Sequence, residues 1–295
     1  MEVSLYHQKK FGGFYSIAIL LGAFFTIIFS GLNLKNQATV DMILSLLQPI
    51  VFIIASAFYL NEKQIFFTEG IHIKKFSLKY LAIAIIASIG LMLGFGYVNI
   101  VIGNELVKTG AIAVQEIAMD GFGDYVKYVI GTALAPAVGE EVLFRGVVLY
   151  AFLNFCVPTP NVTDGKTDVK ISLCIGLTFA LFHSNPAQIV YQFAWGFALT
   201  LIAIRTGSIL PSILMHFLNN FLILTCMYVN FNPFNIVTTI IGLVIFIFAM
   251  VWAMLGKKFN ENIKFTCINF YKGAWVGVLF SVGMMVATIL INLYA

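Results

Sequence analysis

The sequence predicts an all-α protein, a polytopic transmembrane helical bundle of about eight to nine spans, forming one transmembrane domain over residues 1–295. Three observations carry that prediction. The residues are 60% hydrophobic and only 10% charged, with 29 Phe, more apolar side chain than a water-soluble chain of this length can bury. The apolar residues fall in runs near the 20 that a helix needs to cross a bilayer. The basic residues between those runs are sorted towards one side, as cytoplasmic segments of membrane proteins are.

Nine runs follow one another, at about 12–34, 40–60, 80–103, 126–155, 170–184, 187–204, 208–229, 234–255 and 273–294. The first follows Lys9 and Lys10 without a clear small-x-small cleavage site, so it is expected to be an uncleaved anchor. In the third, Gly90 and Gly94 form a small-xxx-small pair that lets a neighbouring helix approach closely. The segment 104–124 mixes charged and apolar residues, which fits either an interfacial helix or a connecting loop. The fourth run is long, and Pro136 lies inside it. Proline has no N–H for the carbonyl of Thr132, and Gly139 follows, so a kink or interruption is expected near residue 136.

Residues Val157–Lys166 are rich in Pro, Asn and Gly and read as a loop. The fifth run is short and ends at the Asn185-Pro186 turn. The seventh is expected to start after Thr206-Gly207-Ser208, with Ser208 as its N-cap.

With the N-terminus inside, thirteen Lys and Arg fall in cytoplasmic segments, against Lys35, Lys108 and Lys127 outside. The chain is therefore expected in a cell membrane with a cytoplasmic N-terminus. The net charge of +4 is this asymmetry in sum, and implies no nucleic-acid partner. The partner expected from this composition is membrane lipid. Cys156, Cys174, Cys226 and Cys267 have no metal-ligand spacing and read as free thiols in or beside apolar segments. No internal period and no long linker divides the chain.

Ionisable side chains at membrane depth are costly and mark functional sites. Those in the runs are Glu140, Glu141, Arg145, His183 and His216, all between residues 140 and 220. On a helix, residues four apart share a face, whereas adjacent ones diverge by roughly 100°. Glu141 can therefore pair with Arg145, in the favourable order of acid before base, which eases the burial of both. Glu140 then points elsewhere and is the carboxylate left for chemistry. A broken backbone in the membrane is tolerated where it is buried in protein or lines a watery cavity, a setting that suits a site that needs water. His216 and Asn220 share another helical face, and both can donate hydrogen bonds to one oxygen, as an oxyanion hole requires.

Glu140-Glu141-x-x-x-Arg145, Phe179-x-x-x-His183 and His216-x-x-x-Asn220, in that order, resemble the motifs of the CPBP family, the CAAX protease and bacteriocin-processing membrane proteins. The match covers residues 125–230, including Phe144-Arg145-Gly146 and Arg205-Thr206-Gly207-Ser208-Ile209-Leu210-Pro211. The resemblance implies an intramembrane endopeptidase similar to the type II CAAX prenyl endopeptidases. It implies that Glu140 and His183 activate water, that His216 and Asn220 stabilise the oxyanion, and that Glu141 and Arg145 give structural support, with no cofactor. Three other readings remain at this stage. Two Glu and two His could hold zinc in a membrane metalloprotease, although no His-Glu-x-x-His is present. The chain could be a non-catalytic scaffold in signalling or bacteriocin immunity. The same groups could build a proton relay in a transporter, although no paired symmetric halves are visible.

Overall fold

The computed structural model describes residues 2–31, 36–113, 117–157, 164–255 and 265–294, and every regular element among them is a helix. The helices are α1 (Glu2–Phe29), α2 (Gln37–Glu62), the single turn α3 (Phe67–Gly70) and α4 (Leu78–Lys108), followed by one long rod over residues 122–156. That rod comprises α5 (Phe122–Tyr128), α6 (Ala135–Glu141) and α7 (Leu149–Ala151), joined and ended by π-helical stretches at Val129–Leu134, Val142–Val148 and Phe152–Cys156. Then come α8 (Gly165–Phe182), α9 (Ile189–Thr206), α10 (Leu210–Tyr228), α11 (Ile236–Met254) and α12 (Ile268–Tyr294).

Seven of these, α1, α2, α4, α9, α10, α11 and α12, are long and apolar enough to cross a bilayer. The long rod and α8 are the fourth and fifth predicted spans. The rod is subdivided by its π turns, and α8 opens with Lys166, Asp168 and Lys170. Together they make a multi-pass helical membrane protein.

Successive helices alternate in direction, and contacts between distant segments gather at two ends. At one end Gln8 donates to the carbonyl of Phe155, Ile209 N–H to that of His72 at 3.1 Å, and Thr266 N–H to that of Cys156 at 3.1 Å. At the other, Lys127 bridges Asn36 and Asp124 at 3.0 and 2.9 Å, and Tyr125 meets Thr225 at 2.8 Å.

Helix pairing follows the small residues. A Cβ on Gly90 would lie 2.6 Å from the backbone nitrogen of Phe246, and one on Gly94 would lie 2.9 Å from that of Leu243. The predicted small pair therefore seats α11 directly on α4.

Two alternatives left open by the sequence are narrowed. Segment 104–124 forms no interfacial helix among its described residues: α4 runs on to Lys108, and residues 109–113 and 117–121 are non-helical. The fourth span is not interrupted at Pro136 either. It widens into π turns on both sides of α6, which absorb the missing N–H while the rod stays continuous. Residues 158–163 of the expected loop lie outside the described residues. At the start of α8, Asp164 caps the N–H groups of Lys166 and Thr167 at 2.7 and 3.0 Å. The four cysteines are free.

Candidate active site

The site is assembled where α6 crosses α2, with α8, α9 and α10 around it. Gly139 permits that crossing: a Cβ there would lie 2.4 Å from Cα of Pro49 and 2.8 Å from its carbonyl oxygen. The close approach lets Glu140 and Glu141 sit inside the bundle. Glu141 and Arg145 are fully buried, and Glu140 and His216 nearly so.

Arg145 spends every face of its guanidinium. One nitrogen reaches Glu141 Oε1 at 2.9 Å, another the carbonyl of Gly196 at 2.9 Å, and Nε meets Thr200 Oγ1 at 3.3 Å. Its flat face lies 4.4 Å from the ring centre of Phe179, a favourable cation–π contact. The phenylalanine of the second motif is thus part of the cradle for the arginine of the first.

Glu141 has a second partner that helical spacing does not reveal. His216 Nδ1 lies 2.9 Å from the same Oε1. A carboxylate can only accept, so His216 carries its proton on Nδ1 and turns Nε2 away from Glu141. The acid paired with Arg145 therefore also orients the histidine of the third motif.

Glu140 diverges from this pair, as its position in the helix requires. Its Oε2 is buried without a hydrogen-bond partner and lies 3.9 Å from Nε2 of His183, too far for a direct hydrogen bond. His183 sits just past the last turn of α8, where its Nδ1 meets the carbonyl of Phe179 at 2.8 Å. Because that carbonyl only accepts, Nδ1 donates, and in the neutral ring Nε2 then presents a lone pair towards Glu140. The chain then reverses through Ser184, which has a φ of 52°, an uncommon left-handed value for a non-glycine residue.

Asn220 occupies the gap that Pro136 creates. Its Nδ2 donates to the carbonyl of Thr132 at 3.2 Å, the very carbonyl that lacks its usual helical partner. Its Oδ1 accepts from Asn219 Nδ2 at 3.0 Å, and Asn219 Oδ1 accepts from the hydroxyl of Tyr191. A chain of hydrogen bonds from α9 through α10 to the long rod thus fixes the amide, leaving one N–H of Asn220 uncommitted. Asn219, Tyr191 and Thr132 carry no motif signal. Only the orphaned carbonyl of Thr132 was foreseeable.

Glu140, His183, His216 and Asn220 all line one cavity of about 520 Å³, which extends past the α8–α9 turn to Met227 and Phe234. That places its far end at the end of the bundle where Tyr125 meets Thr225, opposite the N-terminus of α1. A second recess of about 400 Å³, bordered by residues of α1, α2 and α12, reaches Glu140 and Pro136 from the other flank. Glu140 therefore stands between two openings.

Comparison with known families is consistent with this assembly. A family model described as type II CAAX prenyl endopeptidase Rce1-like matches residues 123–222, the stretch that holds all three motifs and the two donors on α10. No curated protein and no solved structure matches the chain.

Proposed function

We propose that this chain, assigned to the CPBP (CAAX protease) family by the match over residues 123–222 and hence a membrane peptidase, is an intramembrane endopeptidase. Its substrate is a membrane-associated peptide or protein, and it uses water activated by Glu140 and His183. The observation that carries the mechanism is the unpaired Glu140 Oε2 facing His183 Nε2 at 3.9 Å. Both atoms are acceptors, so a water about 2.8 Å from each can donate one hydrogen to either side. Such a water turns its lone pairs towards a peptide carbonyl in the cavity. Glu140 takes the proton as the bond to carbon forms and returns it to the departing amine as the C–N bond breaks, which leaves the free acid and the amine.

The negative charge on the carbonyl oxygen is met from α10. Asn220 offers its uncommitted N–H, held by Thr132 and Asn219. His216 donates from Nε2 only in its doubly protonated form, because Nδ1–H is already directed at Glu141. Glu141 and Arg145 are supporting groups that touch no substrate, and no metal has a part in these steps.

Basic residues gathered at the α1 N-terminal end favour an orientation in a cell membrane with the N-terminus in the cytoplasm. The test compares small membrane and secreted peptides by mass spectrometry in cells carrying wild type or Glu140→Gln. A trimmed peptide found only with wild type is expected. Identical peptide populations, together with no hydrolysis by the purified wild-type protein, would sink the proposal.

A further inference from the structure

Three of the four cysteines converge although they share no spacing in the sequence. Cys156 ends the long rod, Cys174 lies midway along α8, and Cys267 immediately precedes α12. Backbone hydrogen bonds frame them: Thr266 N–H donates to the carbonyl of Cys156 at 3.1 Å, and Tyr271 N–H to that of Cys267 at 3.2 Å. The Tyr271 hydroxyl crosses to α8 and donates to the carbonyl of Cys174 at 3.1 Å. Phe270, fully buried, stands edge-on to Phe152 of the rod with ring centres 4.9 Å apart. The start of α12 is thus seated between the rod and α8.

Within that frame the thiols of Cys174 and Cys267 hydrogen-bond to each other. Both residues are half-buried, whereas Cys156 is buried. Thiols in contact can close to the ~2 Å of a disulfide by side-chain rotation, without the backbone movement that distant cysteines need. In the proposed orientation this end of the bundle faces the cytoplasm. Thiols there are kept reduced, and the disulfides that do form are transient ones that report oxidation.

From the shared contact of the two thiols and the frame that holds it, we infer that Cys174 and Cys267 are an oxidation-sensing pair, converted by hydrogen peroxide to a reversible disulfide that clamps α12 to α8. Peroxide transfers one oxygen to the first sulfur, which gives a sulfenic acid and a water. The second sulfur attacks the first, the S–O bond breaks as the S–S bond forms, and a second water leaves. Two thiols and one peroxide become one disulfide and two waters, with both electrons passing to the peroxide. A small dithiol restores the pair by exchange. Because α12 crosses α1 so closely that a Cβ on Gly273 would overlap the carbonyl of Lys9, the clamp holds both helices against the one that carries His183.

The pair takes no part in peptide hydrolysis, so it is tested without a substrate. Purified protein in lipid nanodiscs is treated with hydrogen peroxide, its remaining thiols are alkylated, and the digest is read by mass spectrometry without reduction. A peptide linked through Cys174 and Cys267 is expected in the wild type and in Cys156→Ser, and it should vanish after dithiothreitol. Oxidation should raise the unfolding temperature by about 5 °C, as a disulfide of ordinary strength does. It should leave that of Cys174→Ser and Cys267→Ser unchanged.

The wild-type map decides even where a serine variant fails to fold. Absence of the linked peptide, a predominant linkage through Cys156 or Cys226, or an equal yield when the protein is unfolded in detergent before oxidation would overturn the inference. So would an unfolding temperature that oxidation lowers or leaves as it was.

Discussion

Glu141 joins the arginine of the first motif to the histidine of the third, so removing it separates stability from activity. In Glu141→Leu, Arg145 keeps its contacts to Gly196 and Thr200 at 2.9 and 3.3 Å but loses its only carboxylate partner while fully buried. Leaving a buried charge uncompensated costs about 3–5 kcal/mol. Arg145→Met alone should cost a comparable amount, because Glu141 is then a buried anion with only His216 beside it. In the double variant both charges are gone and apolar side chains of similar volume fill the space, a change that is often close to neutral.

The double variant should therefore be more stable than either single one, measured by thermal unfolding of the purified protein in detergent. Activity should not follow. His216 has lost the acceptor that fixes its proton on Nδ1, and loss of one aligned oxyanion donor lowers kcat by roughly 100- to 1,000-fold. If the double variant regains stability and also cleaves peptide at the wild-type rate, Glu141 does not orient His216 for catalysis. If it remains as unstable as the single variants, the two charges are not the isolated pair that their geometry describes.

Three further outcomes are expected. Gly139→Ala should destabilise the protein by about 1–3 kcal/mol, as overpacking does, because its Cβ would meet Pro49 backbone atoms at 2.4 and 2.8 Å; an unfolding temperature equal to wild type would show that α2 and α6 can separate freely. His72 lies outside the spans, and burial, followed by the charge of Lys74, lowers its imidazole from 6.5 to about 4. Between those values the unfolded chain takes up a proton that the folded one refuses, so stability should fall by about 3 kcal/mol as pH drops from 6.5 towards 4. His72→Asn tolerates the local φ of 56° and should flatten that slope in pH-dependent unfolding. Strict chelation should leave peptide hydrolysis unchanged, whereas a loss that zinc restores would transfer the site to the metalloprotease reading.

The bundle and the motif residues were legible in sequence because both depend on short-range spacing. Runs near 20 apolar residues gave the spans, and i,i+4 spacing paired Glu141 with Arg145. Spacing along one helix is silent about what faces it from another, which is why the contact of His216 with Glu141, 75 residues apart, and the roles of Asn219 and Tyr191 were hidden. The same blindness left open whether Pro136 kinks or interrupts its span. A proline in a lone helix leaves a carbonyl unsatisfied, and interruption is then the natural expectation. Here the rod stays continuous through its π turns, and the carbonyl of Thr132, which Pro136 cannot serve, accepts from Asn220 on α10 and becomes the anchor of a proposed oxyanion donor. One side chain thus serves the fold of the long rod and the chemistry beside it. Truncating Asn220 to alanine would remove both at once and could not tell them apart. A replacement that keeps a donor for Thr132 but presents none to the cavity is the change that separates them.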